Sequence, residues 1–380
     1  MRELFLLNPE IIFLNHGSFG ATPRPVFENY QAWQLELERQ PVEFFGRRSK
    51  ELLKYAREEL ASYLHTSANN LVYMTNVTVA LNAVARSLQL KEGDEVLATN
   101  QEYGALNRTW NYLSRQRGFK YINTPVDIPV TTPEKYVEDF WKGVTPHTRV
   151  IFISHISSVT AIIAPIKEIC QRARSQGILS VIDGAHAPGQ LPLDMEEIDA
   201  DFYGANLHKW LCAPKGSGFL YASPRVHALL HPLVVSFGWE SDQPGISHLV
   251  DLYEYMGTRD LAPFLAVPEA IAFQNNNHWE MVRQQCHELA KRCLIELCQS
   301  TGLTPLYAPD SDWFAQMVTI PIPEKTDINI LKDRLLEDYQ IEVPFVTWEE
   351  RPYVRGSFQA YNTCQELDIF LSAMRDLLHI

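Results

Sequence analysis

Apolar residues recur along this chain in two alternating periods. Residues 26 to 40 and Lys50 to Leu64 carry them at helical spacing, whereas Leu71-Val-Tyr-Met-Thr75 is a short apolar run of strand type. The alternation continues with a helix from Thr78 to Leu88, a strand from Glu95 to Thr99, a helix from Gly104 to Arg117 and strands at Lys120 to Thr124 and Arg149 to Ser154. A helix from Pro165 to Gln176, a strand from Ile178 to Ile182 and strands at 201–206 and 218–222 complete it. Strands that alternate with amphipathic helices predict an α/β fold around a mostly parallel central sheet. Past Met256-Gly-Thr-Arg-Asp260 the texture changes to a long helical region from about Leu265 to Ser300. Strand-like residues within Trp313 to Pro321, a helix from Ile328 to Tyr339 and a C-terminal helix from about Asn362 follow. The pattern predicts an N-terminal arm (1–15), a large domain (16–260) and a smaller α+β C-terminal domain (261–380).

Length and composition narrow the class. A chain of 380 residues with 46% hydrophobic content has apolar surface enough for a large folded core. Its formal charge of −13 argues against nucleic acid and anionic membranes, both of which call for a basic footprint. The N-terminal apolar run is broken by Asn8, Pro9 and Glu10, and no stretch reaches the roughly 18 apolar residues of a membrane span, so a cytoplasmic protein is expected. Six cysteines without a C-x-x-C pair, and histidines without ligand spacing, predict neither a disulfide framework nor a metal site.

Candidate chemistry collects where predicted strands end, the place where ligands bind in open α/β sheets. Ile178-Leu-Ser-Val-Ile-Asp-Gly-Ala-His186 ends a buried strand in a carboxylate and an imidazole, and Asp201-Phe-Tyr-Gly-Ala-Asn-Leu-His-Lys209 delivers a histidine and a lysine to a turn. These residue types suit pyridoxal phosphate (PLP): Lys209 for the covalent link, Asp183 for the pyridinium nitrogen, and His186 for the ring hydroxyl or the bound imine. Thr78 at a helix start suits the phosphate, and Tyr103 offers a face for the ring. Taken singly, Lys209 as a surface lysine, Asp183 as a turn carboxylate and Arg355 as a solvated arginine are the ordinary readings; Asp183, His186, His208 and Lys209 at two consecutive junctions, with Thr78 and Arg355 elsewhere, argue for a site. The loop Phe13-Leu-Asn-His-Gly-Ser-Phe-Gly20 offers Asn15 and His16 as substrate contacts, with turn-stabilising and packing roles as the alternatives. Arg47 and Arg48 are either surface charge or residues that reach a partner's site.

These motifs resemble the class V aminotransferases of PLP-dependent fold type I, a family that includes cysteine desulfurases, C–S lyases and isopenicillin N epimerases. The resemblance rests on Asp183-Gly-Ala-His186, Asn206-Leu-His-Lys209, Ala213-Pro-Lys-Gly216, Gly257-Thr258, Arg355 and Tyr361-Asn-Thr363. It implies that Lys209 is the Schiff-base lysine, that Val77, Thr78, Asn206 and His208 surround the phosphate, and that Tyr103 stacks on the ring. It also implies a homodimer in which Thr258 reaches the neighbouring subunit's phosphate, and an amino acid substrate whose carboxylate Arg355 clamps. Ser157 stands where desulfurases carry an asparagine near the ring hydroxyl.

No cysteine lies between Cys298 and Cys364, the region of the desulfurases' persulfide-forming thiolate, which argues against that activity. The Leu14–Gly20 and His208–Gly216 segments look most like the epimerase branch and its C–S lyase relatives. The expectation is an enzyme in which Lys209 removes the Cα proton of an amino acid, with Asp183 and His186 as its catalytic partners. Epimerisation is the leading outcome, C–S β-elimination the alternative and transamination a third. The non-enzymatic alternative is a silent PLP-fold protein retained for binding or assembly.

Overall fold

Seven strands form the central sheet of the computed structural model, which describes residues 1–379. They are β1 (Leu71–Met74), β2 (Glu95–Thr99), β3 (Lys120–Thr124), β4 (Thr148–Ser154), β5 (Leu179–Asp183), β6 (Phe202–Asn206) and β7 (Gly218–Ala222), in the order β1-β7-β6-β5-β4-β2-β3. All run parallel except β7, which is antiparallel to both its neighbours. Side chains alternate between two apolar layers. Leu71, Tyr73, Leu97, Ile151, Ile153 and Tyr203 enter one, while Val72, Met74, Val96, Val150, Phe152 and Phe202 enter the other. Burial on both faces explains why these strands read as continuous apolar runs.

Helices α1 (Arg24–Arg39), α2 (Ser49–Tyr63), α3 (Val77–Ser87), α4 (Gly104–Arg117), α5 (Pro133–Trp141) and α6 (Ile166–Ser175) belong to this part of the chain. Helix α5 was absent from the sequence-based expectation. Only nine residues long, it has Thr132 as its cap, accepting from the Lys135 N–H, and Pro133 in its first turn. The expected long helix after residue 265 is instead Ala262–Leu265, α7 (Val267–Asn276) and α8 (Trp279–Thr301). The break is at His278, which takes a left-handed conformation (φ 50°) after three consecutive asparagines.

The C-terminal residues build a second, antiparallel sheet from β8 (Met317–Pro321), β9 (Phe345–Trp348) and β10 (Arg351–Ser357), with β10 in the middle. With it go α9 (Ile328–Tyr339) and α10 (Cys364–Leu378), the latter opened by a Thr363/Glu366 capping box. Ile12–Phe13 pairs with Ile341–Glu342, and Asn15 bridges to Ser357, so the N-terminal arm is attached to this second sheet. We propose the large and small domains divide near residue 260; the principal apolar core continues across that point, through Phe264, Val267 and Leu294.

After the arm, the chain touches the loop of Lys209. Gly20 has φ 70°, and a Cβ there would lie 2.0 Å from the His208 carbonyl oxygen and 2.9 Å from the Lys209 Cα. Only a residue without a side chain permits that approach. Gly20→Ala is expected to cost about 2–4 kcal/mol of unfolding free energy, as overpacking and a left-handed conformation combine. Urea denaturation with unchanged stability would refute this.

Candidate functional site

The ends of the parallel strands and the helix starts that follow them converge on one edge of the sheet. Strand β5 ends at Asp183, β6 at Asn206 three residues before Lys209, and β1 leads through Asn76 into α3. Because β7 is antiparallel, its first residue Gly218 lies beside Asn206 at the same edge. A Cβ on Gly218 would be 2.7 Å from the Ala205 carbonyl oxygen and 3.0 Å from the Asn76 Cα, so the glycine lets α3 approach closely.

Asp183 is 2% exposed. Its Oδ1 accepts the Ala185 N–H at 2.9 Å, while its Oδ2 has no partner among the described residues. Burial, partly offset by that hydrogen bond and the Lys209 charge, raises its proton affinity. Lys209 Nζ lies 3.1 Å from His186 Nε2, and the Trp210 indole N–H donates to His186 Nδ1 at 3.2 Å. Burial foremost, and the Arg355 charge second, lower the Lys209 pKa to about 7. Burial also drives the His186 pKa far below its ordinary value, so the ring is neutral.

Arg355 reaches the same space from β10. It is 7% exposed, and its hydrogen bonds go to neutral acceptors: the Ser158 carbonyl at 2.6 Å and Ser18 Oγ at 3.1 Å. Its Nε is unpartnered among the described residues, and burial lowers its pKa to about 10. A buried guanidinium without a carboxylate is suited to receive one from a ligand. Ser18 in turn donates to Asn15 Oδ1 at 2.5 Å, so Asn15 orients an Arg355 partner. His16 is fully buried. Its Nε2 donates to the Lys209 carbonyl at 2.9 Å, and its Nδ1 faces the Tyr361 hydroxyl at 3.0 Å. Both ring nitrogens are therefore engaged by the protein, and the residue holds the Lys209 backbone in place.

At the start of α3 the donors are divided. Asn206 Oδ1 accepts the Val77 N–H at 2.9 Å and Asn76 Oδ1 accepts the Val79 N–H at 2.9 Å. Between them, partly exposed Thr78 brings its hydroxyl and N–H to the positive end of the helix. The helix start thus offers Thr78 for an anion, with Val77 and Asn206 as its scaffold. His208 Nδ1 donates to the Ser217 carbonyl at 3.0 Å, so its Nε2 becomes a donor to phosphate only on gaining a proton. Ser157 is buried, its hydroxyl donating to the Gln101 carbonyl at 3.0 Å and accepting from the Val159 and Thr160 N–H groups. It stabilises a turn with that hydroxyl.

Tyr103, 42% exposed at the start of α4, keeps a ring face open. Thr258 is also exposed and contacts the Tyr255 hydroxyl at 3.4 Å; neither its partners nor those of Arg47 and Arg48 include Lys209. Arg48 pairs with Glu36 at 2.7 Å, and Arg47 is exposed. Three residues near the site had escaped the sequence reading. Trp210 and Ser18 are described above; Glu102 is a buried acid that accepts from Thr99 Oγ1 at 2.6 Å and from the Ser154 N–H at 2.8 Å. Burial raises its pKa to about 7. It ties the Tyr103 segment to β4, whose Ser154 is paired in register with Asp183. The adjacency of Trp210 to Lys209 and of Glu102 to Tyr103 was the available signal.

The residues fit PLP. The free Asp183 Oδ2 suits a protonated ring nitrogen, Lys209 the aldehyde, and Thr78 the phosphate. The profile of the family Aminotransferase class-V matches residues 20–370. The chain is 35% identical to the isopenicillin N epimerase of Amycolatopsis lactamdurans over 99% of this chain and 97% of that protein. It is 25% identical to the hercynylcysteine sulfoxide lyase of Schizosaccharomyces pombe, covering 98% and 95% respectively. Among solved structures, a C-DES mutant with glycine covalently linked to the PLP cofactor superposes with a TM-score of 0.85 at 20% identity, over 99% of each chain. The chain has the corresponding type I fold. It belongs to the class V aminotransferase family and is a PLP-dependent enzyme.

Proposed function

We propose that this enzyme acts at the Cα of an amino acid and epimerises it. The observation that carries the reading is a buried Arg355 without a carboxylate partner, beside a lysine amine of low proton affinity. Bound PLP supplies the aldehyde and the electron sink that acidify a Cα–H bond. Lys209 anchors the cofactor and, once released, takes the Cα proton at Nζ. Asp183 Oδ2 keeps the ring nitrogen protonated, His186 faces the Lys209 amine, and Thr78 with the α3 start binds the phosphate. His208, whose pKa burial lowers to about 4 and which a phosphate charge would raise, flanks Thr78 there. Tyr103 covers the ring, and Arg355 aligns the substrate carboxylate so that the Cα proton faces Lys209.

Epimerisation returns a proton to the opposite face. Identity of 35% to an epimerase, against 25% to a sulfoxide lyase, favours this outcome. Elimination is the second reading, supported by further relatives such as the Arabidopsis thaliana L-cysteine desulfhydrase, 27% identical over 96% of this chain. It needs the same proton abstraction followed by departure of a β-thiol.

The exposed Thr258 further supports a homodimer in which it reaches the partner's phosphate, as does apolar surface nearby at Phe237 (83% exposed) and Ile246 (94% exposed). The absence among the described residues of a helix long and apolar enough to cross a membrane is compatible with a cytoplasmic enzyme.

Three outcomes are expected. First, borohydride should fix PLP to the wild-type protein but not to Lys209→Ala; fixation to the variant would remove the anchor assignment. Because the neutral amine is the nucleophile, PLP uptake by cofactor-free enzyme should rise with pH through about 7 and level off above it; a rise delayed to the ordinary lysine range near 10.4 would contradict the lowered pKa. Second, a panel of amino acids and cysteine conjugates in deuterated water should give Cα deuterium with inversion, whereas release of 2-oxo acid and ammonia without inversion would establish the lyase instead. Third, light scattering should give twice the chain mass of 43.5 kDa, and a monomer that still binds PLP would overturn the shared site.

A further inference from the structure

We propose that Trp210 is a positioning residue: its indole N–H fixes the His186 tautomer, and through it presents Lys209 as a neutral amine. The argument is one of donors and acceptors. An indole nitrogen only donates, so His186 Nδ1, 3.2 Å away, must be the unprotonated nitrogen of the neutral ring. The proton then sits on Nε2, which faces Lys209 Nζ at 3.1 Å. An ammonium has no lone pair to accept it, so the contact is made only when Lys209 is neutral.

Trp210 is held rigidly enough to impose this choice. It is fully buried, its carbonyl accepts from Gln274 Nε2 at 2.8 Å, and a Cβ on Gly189 would lie 2.2 Å from that carbonyl oxygen. The His16 ring lies 5.0 Å from it, and a Cβ on Gly17 would touch its six-membered ring at 3.4 Å. The charged or titratable groups around Lys209 and His186 are Asp183, Arg355, His208 and His16. Arg355 and the desolvation of the site disfavour an ammonium, Asp183 favours one, and the Trp210–His186 contact adds a directional preference for the amine.

This inference rests on the PLP reading of Lys209, but its primary test does not. In the cofactor-free full-length protein labelled with 15N-histidine, the resonances lost in His186→Gln identify the ring. They should report a pyridine-type Nδ1 and a pyrrole-type Nε2. A protonated Nδ1 in the wild type would overturn the proposal whether or not any variant folds. In Trp210→Phe the ring should populate both tautomers, and the Lys209 titration, followed by its reaction with an amine-selective reagent, should move upward by about half to one pH unit. PLP capture at neutral pH should slow by roughly three- to tenfold in parallel. A folded Trp210→Phe with the wild-type 15N signature and titration would refute the role of Trp210. An altered signature with an unmoved lysine would refute its transmission to Lys209. Failure of PLP to bind at all, with the tautomer as stated, would count against the function and not against this contact.

Discussion

Placing Asp183, Lys209 and Arg355 in one buried cleft, without satisfying them on one another, is the constraint around which the rest of the protein is arranged. An isolated charge in such surroundings is costly, and each group responds differently. Lysine surrenders its proton more readily, the carboxylate holds one more tightly, and the guanidinium keeps its charge by bonding to the Ser158 carbonyl and Ser18. Asp183 Oδ2 and Arg355 Nε are left without protein partners. Those two atoms are what a protonated ring nitrogen and a carboxylate would satisfy, so ligand binding relieves the desolvation cost that folding imposed.

Such a site needs stiff supports. Asp183 closes a strand flanked by parallel neighbours, and Asn206 closes the next, with its side chain seated on the first N–H of α3. Arg355 comes from the central strand of a different sheet, more than a hundred residues downstream of Lys209. The N-terminal arm and the segment directly after it join the two. The arm pairs with residues 341–342, and the segment places Ser18 on Arg355 and His16 on the Lys209 carbonyl and uses Gly20 to pass over His208. Residues near the two ends of the chain thereby set the distance between the Lys209 amine and the Arg355 guanidinium.

The motif at Asp183 and the one at Lys209 were legible before any coordinates, because each is a local event: an apolar strand stops and a polar residue follows. The helix start at Thr78 was legible for the same reason, although Asn76 and Asn206 divide its donors in a way that spacing does not reveal. His16 was a candidate for substrate contact with packing as its alternative, and in the fold both its nitrogens are engaged by Tyr361 and Lys209. Helix α5 and the break at His278 went unread, since a nine-residue helix has few apolar positions and a left-handed turn after three asparagines leaves the flanking periodicity intact.

By itself the sequence determined the alternation of strands and helices, the two polar strand ends and the resemblance carried by their motifs, because periodicity and turn chemistry act over neighbouring residues. Tertiary structure alone decided which groups are buried together and which lone pairs remain free. The sequence singled out neither Trp210 nor Glu102; only packing brings the indole N–H to His186 and the Glu102 carboxylate to Ser154. Proton affinity and tautomer depend on burial and on partners far apart in the chain, and neither exists until the fold closes.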